Sequence, residues 1–107
     1  MAWTVSFLDE RVEAEMEEQP PDIRARFDRL RQLITEHGVA HLPPKYVKHI
    51  ERQVWELRMK GKDGIARAFY VTGSGRRVVI ARVFTKKTQK TPRREIELAL
   101  SRAEEVT

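Results

Sequence analysis

Three runs with the two-residue alternation of β-strands follow one another between Val54 and Phe84, and the glycine-bearing turns between them commit this half of the chain to an antiparallel meander. In the first run Trp55, Leu57 and Met59 fall on one side, and Glu56, Arg58 and Lys60 on the other. Gly61-Lys62-Asp63-Gly64 is a turn. The run Ile65 to Thr72 is partly apolar on both parities, Ala66, Ala68 and Tyr70 against Ile65, Arg67, Phe69 and Val71. A central strand covered on both faces has this pattern. Gly73-Ser74-Gly75 closes a second hairpin. Arg76 to Phe84 then sets Val78, Ile80, Arg82 and Phe84 against Val79, Ala81 and Val83.

The remaining segments supply helices to cover that sheet. Trp3, Val5 and Phe7 alternate with Thr4 and Ser6 as a short strand, which has no local partner and must pair with a later one. From Leu8 the period changes to four, with Val12 and Met16 among acidic residues, and an amphipathic helix follows. Gln19-Pro20-Pro21 ends it, and the prolines open a second helix with Ile23, Phe27, Leu30, Leu33 and Ile34 on one side, up to Gly38. Residues 39–53 read as a connecting loop, because Leu42-Pro43-Pro44 interrupts regular structure. The loop holds His41, Lys45, Lys48 and His49, and is read either as the border of a site or as a solvated connection with one or two apolar anchors. After the polar run Thr85 to Lys90, Thr91-Pro92 reads as N-cap and first helical residue of a last helix bearing Ile96, Ala99, Leu100 and Ala103. The order is β-α-α-β-β-β-α, an α+β fold in one domain, residues 1–107.

Charge is distributed unevenly over these elements. Residues 45–94 hold fifteen Lys or Arg against Glu51, Glu56 and Asp63, a net +12, whereas residues 1–44 carry −4 and residues 95–107 carry −3. Such asymmetry calls for a polyanionic partner. With no cysteine and three unclustered histidines, neither a disulfide framework nor a metal centre is expected, and no cofactor. The start lacks a basic leader with a long apolar run, and no stretch is apolar enough to span a bilayer, so a cytoplasmic protein is expected.

Alternation and strand spacing bring Arg58, Lys60, Arg67, Arg82, Lys86 and Lys87 within reach of one patch, with Lys90 just beyond the strand exit. Crowded cations on a sheet become favourable when phosphates neutralise them and release counterions. RNA carries its own nucleophile, the 2′-hydroxyl. A protein cleaving it need only align that oxygen, stabilise the pentavalent phosphorus and move protons. Arginine suits the second task through its two-pronged grip on phosphate oxygens. A lysine among other cations gives up its proton more easily, which makes Lys60, Lys86 and Lys87 candidates for the third. His37, His41 and His49 all precede the three strands and are not primary candidates.

Val54-Trp55-Glu56-Leu57-Arg58, then Ala66-Arg67-Ala68-Phe69-Tyr70, then Val83 to Pro92 and the helix from Glu95, resemble in that order the RelE/HigB-type toxins of bacterial type II toxin–antitoxin systems, in the phage-derived HigB-like branch of the RelE/ParE superfamily. The resemblance covers nearly the whole chain. It implies a RelE-like microbial RNase fold: a small antiparallel sheet, an N-terminal helical hairpin and a C-terminal helix. The implied activity is metal-independent mRNA endoribonuclease (mRNA interferase) action in the ribosomal A site, which inhibits translation. The implied partners are the ribosome, mRNA and a cognate antitoxin, usually bearing a helix-turn-helix DNA-binding domain in this branch, in a toxin–antitoxin hetero-oligomer.

By position, the resemblance makes Arg67 the arginine on the scissile phosphate, with Arg58 at the first-hairpin position. Lys86 and Lys87 stand where relatives place a basic residue or histidine. Arg67, Lys86 and Lys87 are thus the catalytic candidates, and Arg58, Lys60, Arg82 and Lys90 the RNA-binding ones. The sequence departs from better-known members in having no histidine or tyrosine beyond Tyr70, which leaves Lys86, Lys87 or a ribosomal group as candidates for the general acid. The sister ParE-like toxins share the fold but block DNA gyrase without cutting RNA, and a non-toxic RNA- or ribosome-binding module is a third reading. Replacing Arg67 by alanine is expected to abolish toxicity without loss of folding.

Overall fold

The structure is a computed structural model that describes residues 2–86 and 90–106, with Lys86 described in its backbone alone. Five strands form one sheet: β1 (Thr4–Phe7), β2 (Val47–Glu51), β3 (Val54–Gly61), β4 (Gly64–Gly73) and β5 (Arg77–Lys86), in the spatial order β1-β5-β4-β3-β2. Strand β1 finds its distant partner in β5 and lies parallel to it, while the other neighbours are antiparallel.

Helices α1 (Glu10–Glu17) and α2 (Pro21–His37) lie on one face, and α3 (Arg93–Ala103) on the other. Asp9 caps α1, its carboxylate accepting from the backbone N–H groups of Arg11 and Val12. Pro20 and Pro21 start α2, and Gly38 ends it at φ +87°, where a Cβ would also stand 2.9 Å from the Trp3 indole nitrogen. Against the sheet, α1 and α2 bury Val12, Met16, Ile23, Phe27, Leu30 and Ile34 on Leu57, Met59, Ala66, Ala68, Tyr70, Val78, Ile80 and Val83. Beneath α3, Ala99 and Ala103 cover Val54, Phe69, Val71, Val79 and Phe84. Strand β4 therefore sits in the middle with both faces covered, as its two-sided apolar pattern requires.

The α+β class, the helical hairpin and the closing helix match the sequence reading, and three local features differ. Part of residues 39–53, read as loop, forms two 3-10 turns (Val39–His41 and Pro44–Tyr46) and the extra strand β2. Helix α3 begins at Arg93 with Pro92 in the cap position and no side-chain cap bond, so Thr91 is not its N-cap. The alternation of β5 is broken because Phe69 pairs with Arg82 but Tyr70 pairs with Ile80, which leaves Ala81 as a bulge. The bulge re-phases the strand. Val78 and Ile80 join Val83 under the hairpin, and Val79 joins Phe84 under α3.

Candidate nucleic-acid interface

The β3–β4 turn is docked on the start of α2. The Asp22 carboxylate accepts the Lys62 backbone N–H at 2.7 Å, and this bond, ahead of that from Ile23, holds its pKa below the ordinary value. Gly61 makes the approach possible, since a Cβ there would lie 2.5 Å from Ile23 Cδ1 and 2.9 Å from the Asp22 carboxylate. Docking brings α2 beside the ends of β3 and β4 and encloses a cavity of about 380 Å³. Arg58 and Lys60 of β3, Ile65 and Arg67 of β4, Lys45 and Tyr46 of the turn before β2, and Arg26 of α2 line it. Five cations thus surround one cavity with no carboxylate in its lining among the described residues. Arg58 and Arg67 are directly opposed across the β3–β4 ladder.

Behind the cavity a buried carboxylate orders the arginines. Glu56 Oε1 accepts from Arg67 Nη1 at 2.7 Å and from Arg58 Nε at 3.0 Å. Glu56 and Arg67 are 1% and 4% exposed, whereas the Arg58 side chain is 39% exposed. Glu56 Oε2 and Arg67 Nε are buried with no hydrogen-bond partner among the described residues. Two guanidinium donors therefore converge on one anionic oxygen, which fixes both arginines beside the cavity.

The other residues singled out from the sequence are placed differently. Arg82 is not part of the cavity: it bonds Glu95 through Nε and Nη2 at 2.8 and 3.1 Å, and Nη1 lies 2.9 Å from Glu15. Glu95, then Glu15, raises the Arg82 pKa further, so it remains a cation that ties β5 to α3 and α1. Arg102 completes this clamp through Glu15 and the Ala81 carbonyl. The Lys86 backbone pairs with Ile65, a lining residue of the cavity. Lys87 lies outside the described residues, and Lys90 is exposed, beyond the cavity lining. Tyr70 is buried on the hairpin face and its pKa is pushed up to about 12 by that burial. Tyr46 is the tyrosine of the cavity, with Lys45 Nζ 5.0 Å from its ring centroid. His49 packs on Trp55 with ring centroids 5.0 Å apart, away from the cavity.

A family described as Phage derived protein Gp49-like (DUF891) matches residues 14–104, most of the chain. The chain belongs to the Gp49-like family. No curated protein matches it. Among solved structures, this Gp49-like chain is similar to RelE in the archaeal RelE–RelB complex from Pyrococcus horikoshii OT3, with a TM-score of 0.60 and 17% identity over 84% of this chain and 100% of that one. It is likewise similar to an E. coli toxin RelE double arginine-to-alanine mutant in the free state, with a TM-score of 0.62 and 16% identity over 95% of this chain and 98% of that one. The family match agrees with the phage-derived branch of the resemblance, and the solved structures agree with its RelE-like fold.

The Gp49-like chain places three lining residues that the strand pattern did not assign to a site. Lys45 and Tyr46 sit in the segment read as loop, where Lys45 is one of two lysines and Tyr46 one of a few scattered apolar residues. Arg26 gave no signal, being one of several arginines on the outer side of an amphipathic helix. Among the described residues, no group of three or more His, Asp or Glu is arranged to hold a metal, and no helix is long and apolar enough to cross a membrane.

Proposed function

We propose that this chain is the toxin of a type II toxin–antitoxin pair, a single-domain cytoplasmic mRNA endoribonuclease that acts on the ribosome without a metal. The observation that carries the reading is the cavity lined by five cations from β3, β4, α2 and the turn before β2 on a RelE-like fold. Cations so close repel one another, and a bound RNA backbone relieves the repulsion. In the proposed reaction the 2′-oxygen attacks the adjacent phosphorus and the bond to the 5′-oxygen breaks. The products are a 2′,3′-cyclic phosphate and a 5′-hydroxyl, with one proton removed from the 2′-hydroxyl and one delivered to the leaving oxygen. Arg67, fixed by Glu56, and Arg58 hold the phosphate oxygens as charge builds on them. Tyr46, Lys45 and Lys60 line the same cavity and are its proton-handling groups, and Lys86 and Lys87 stay candidates by their place in the sequence. Arg82 serves the fold in this scheme, and Lys90 remains a contact for RNA outside the cavity. The archaeal relative was solved as a RelE–RelB complex, which supports a cognate antitoxin as partner. That partner carries a helix-turn-helix domain in the proposed hetero-oligomer.

Induced expression without an antitoxin, followed by growth measurement and mapping of RNA 5′ ends, tests the proposal. Growth arrest with new 5′-hydroxyl ends inside open reading frames is expected for the wild type, and fewer such ends for Lys45→Ala/Lys60→Ala. Arrest with intact transcripts and a DNA-damage response would transfer the chain to gyrase inhibition. Unimpeded growth would leave a non-toxic RNA-binding module.

A further inference from the structure

A second recess, of about 390 Å³, opens at the other end of β3 on the face that carries α1 and α2. Trp55, Tyr70 and Thr72 form its floor, with Val47 of β2 on one side and Val39 and Ala40 of the turn after α2 on the other. Trp55 is 40% exposed and is the exposed large hydrophobic among the described residues. The His49 ring packs against Trp55 from β2, and the part of the indole left exposed in the apolar recess is an anchor for a partner side chain.

Beside the recess runs β2, the terminal strand of the sheet. Its ladder is to β3, and among the described residues it makes no other backbone hydrogen bond, so its outer N–H and C=O groups stay open. Strand edges are ordinarily blunted, and β2 is short with an irregularity between His49 and Glu51. Here, however, the edge adjoins an unfilled apolar recess. Charge selects the occupant. Lys48 and Arg52 are exposed along this edge, while Glu51, the acid of residues 38–53, is already held by Arg93 at 2.6 and 3.1 Å.

We propose that the β2 edge and the Trp55 recess together bind an extended acidic segment of a partner protein, added as a further strand beside β2 with an apolar side chain seated on Trp55. A strand satisfies the open backbone groups, which a helix cannot do. Acidic side chains complement Lys48 and Arg52. A second copy of this chain is a poor occupant, because β2 against β2 sets Lys48 and Arg52 beside like charges. The inference does not depend on nuclease activity, and the recess shares no lining residue with the cationic cavity.

The test is selection of random displayed peptides of about 12 residues, enough to span a strand, on the purified full chain. Synthetic copies of the enriched peptides are then titrated against wild type, Trp55→Ser and Lys48→Glu. The expected consensus alternates apolar residues with Asp or Glu. Affinity should fall about ten-fold or more in each variant, and the amides of residues 48–50 should gain hydrogen-exchange protection on binding. Both variants alter exposed side chains and should melt like wild type. No enrichment, a basic or helix-forming consensus, equal affinity for the variants, or unprotected β2 amides would each overturn the proposal. Self-association abolished by Trp55→Ser would do so as well, by assigning the surface to a second copy.

Discussion

Arg67 and Glu56 are nearly excluded from solvent and answer each other's charge, so neither can be removed alone without cost. Arg67→Ala leaves a buried carboxylate with only the half-exposed Arg58, and a loss of about 3–5 kcal/mol in urea unfolding is expected. The sequence suggested that this substitution would spare the fold; burial of the pair argues the reverse. Loss of toxicity in that variant is therefore ambiguous. A paired Glu56→Leu/Arg67→Met replacement should recover most of the stability while abolishing RNA contact, and comparing the two melts separates the roles. The exposed carboxylates give a separate check. Asp22 is held low by the Lys62 N–H, Glu51 by Arg93, and Asp9 by Arg11. A carboxylate whose folded pKa is depressed contributes stability above its unfolded pKa, and loses it as pH falls through the folded value. Stability should therefore decline below the ordinary carboxylate range, with a shallower decline in Asp22→Asn, measurable by urea unfolding across pH.

Elements differ in how much of their placement the sequence discloses. The pleat of β3 and β4 was readable because their alternation is unbroken and both cores follow it. That of β5 was not. Ala81 looks like one more apolar residue in a β-favouring run, yet as a bulge it shifts the phase and hands Arg82 to Glu95 and Glu15. Strand β2 was hidden by Leu42-Pro43-Pro44 and by its position at the sheet edge, where one partner strand leaves only a weak apolar pattern. The cavity was half legible: Arg58, Lys60 and Arg67 follow from register, but Arg26, Lys45 and Tyr46 arrive through tertiary docking of α2 and the turn before β2. Gly61 controls that docking. Gly61→Ala should cost about 1–3 kcal/mol by crowding Ile23. It should also weaken RNA binding by lifting the β3–β4 turn from α2, visible as faster exchange of the Lys62 amide.

At the scale of the whole molecule, the cationic cavity opens beside the tip of the β3–β4 turn, whereas α1 and its C-cap present Glu10, Glu13, Glu17 and Glu18 to solvent elsewhere. A fold so polarised orients itself on a polyanion before any specific contact forms. RNA affinity should fall linearly on a log–log plot against salt. Lys60→Ala should flatten the slope by about 0.7, one single-strand phosphate contact, in filter-binding titrations. The most direct test of the central claim mixes the purified chain with a defined mRNA, with and without ribosomes stalled at a known codon, and reads the ends of any fragments. Cleavage within the A-site codon that requires the ribosome, persists when EDTA is added below the magnesium concentration so that transition metals are removed while the subunits stay joined, and is reduced in Lys45→Ala/Lys60→Ala is the expected result. Intact mRNA on programmed ribosomes would contradict it.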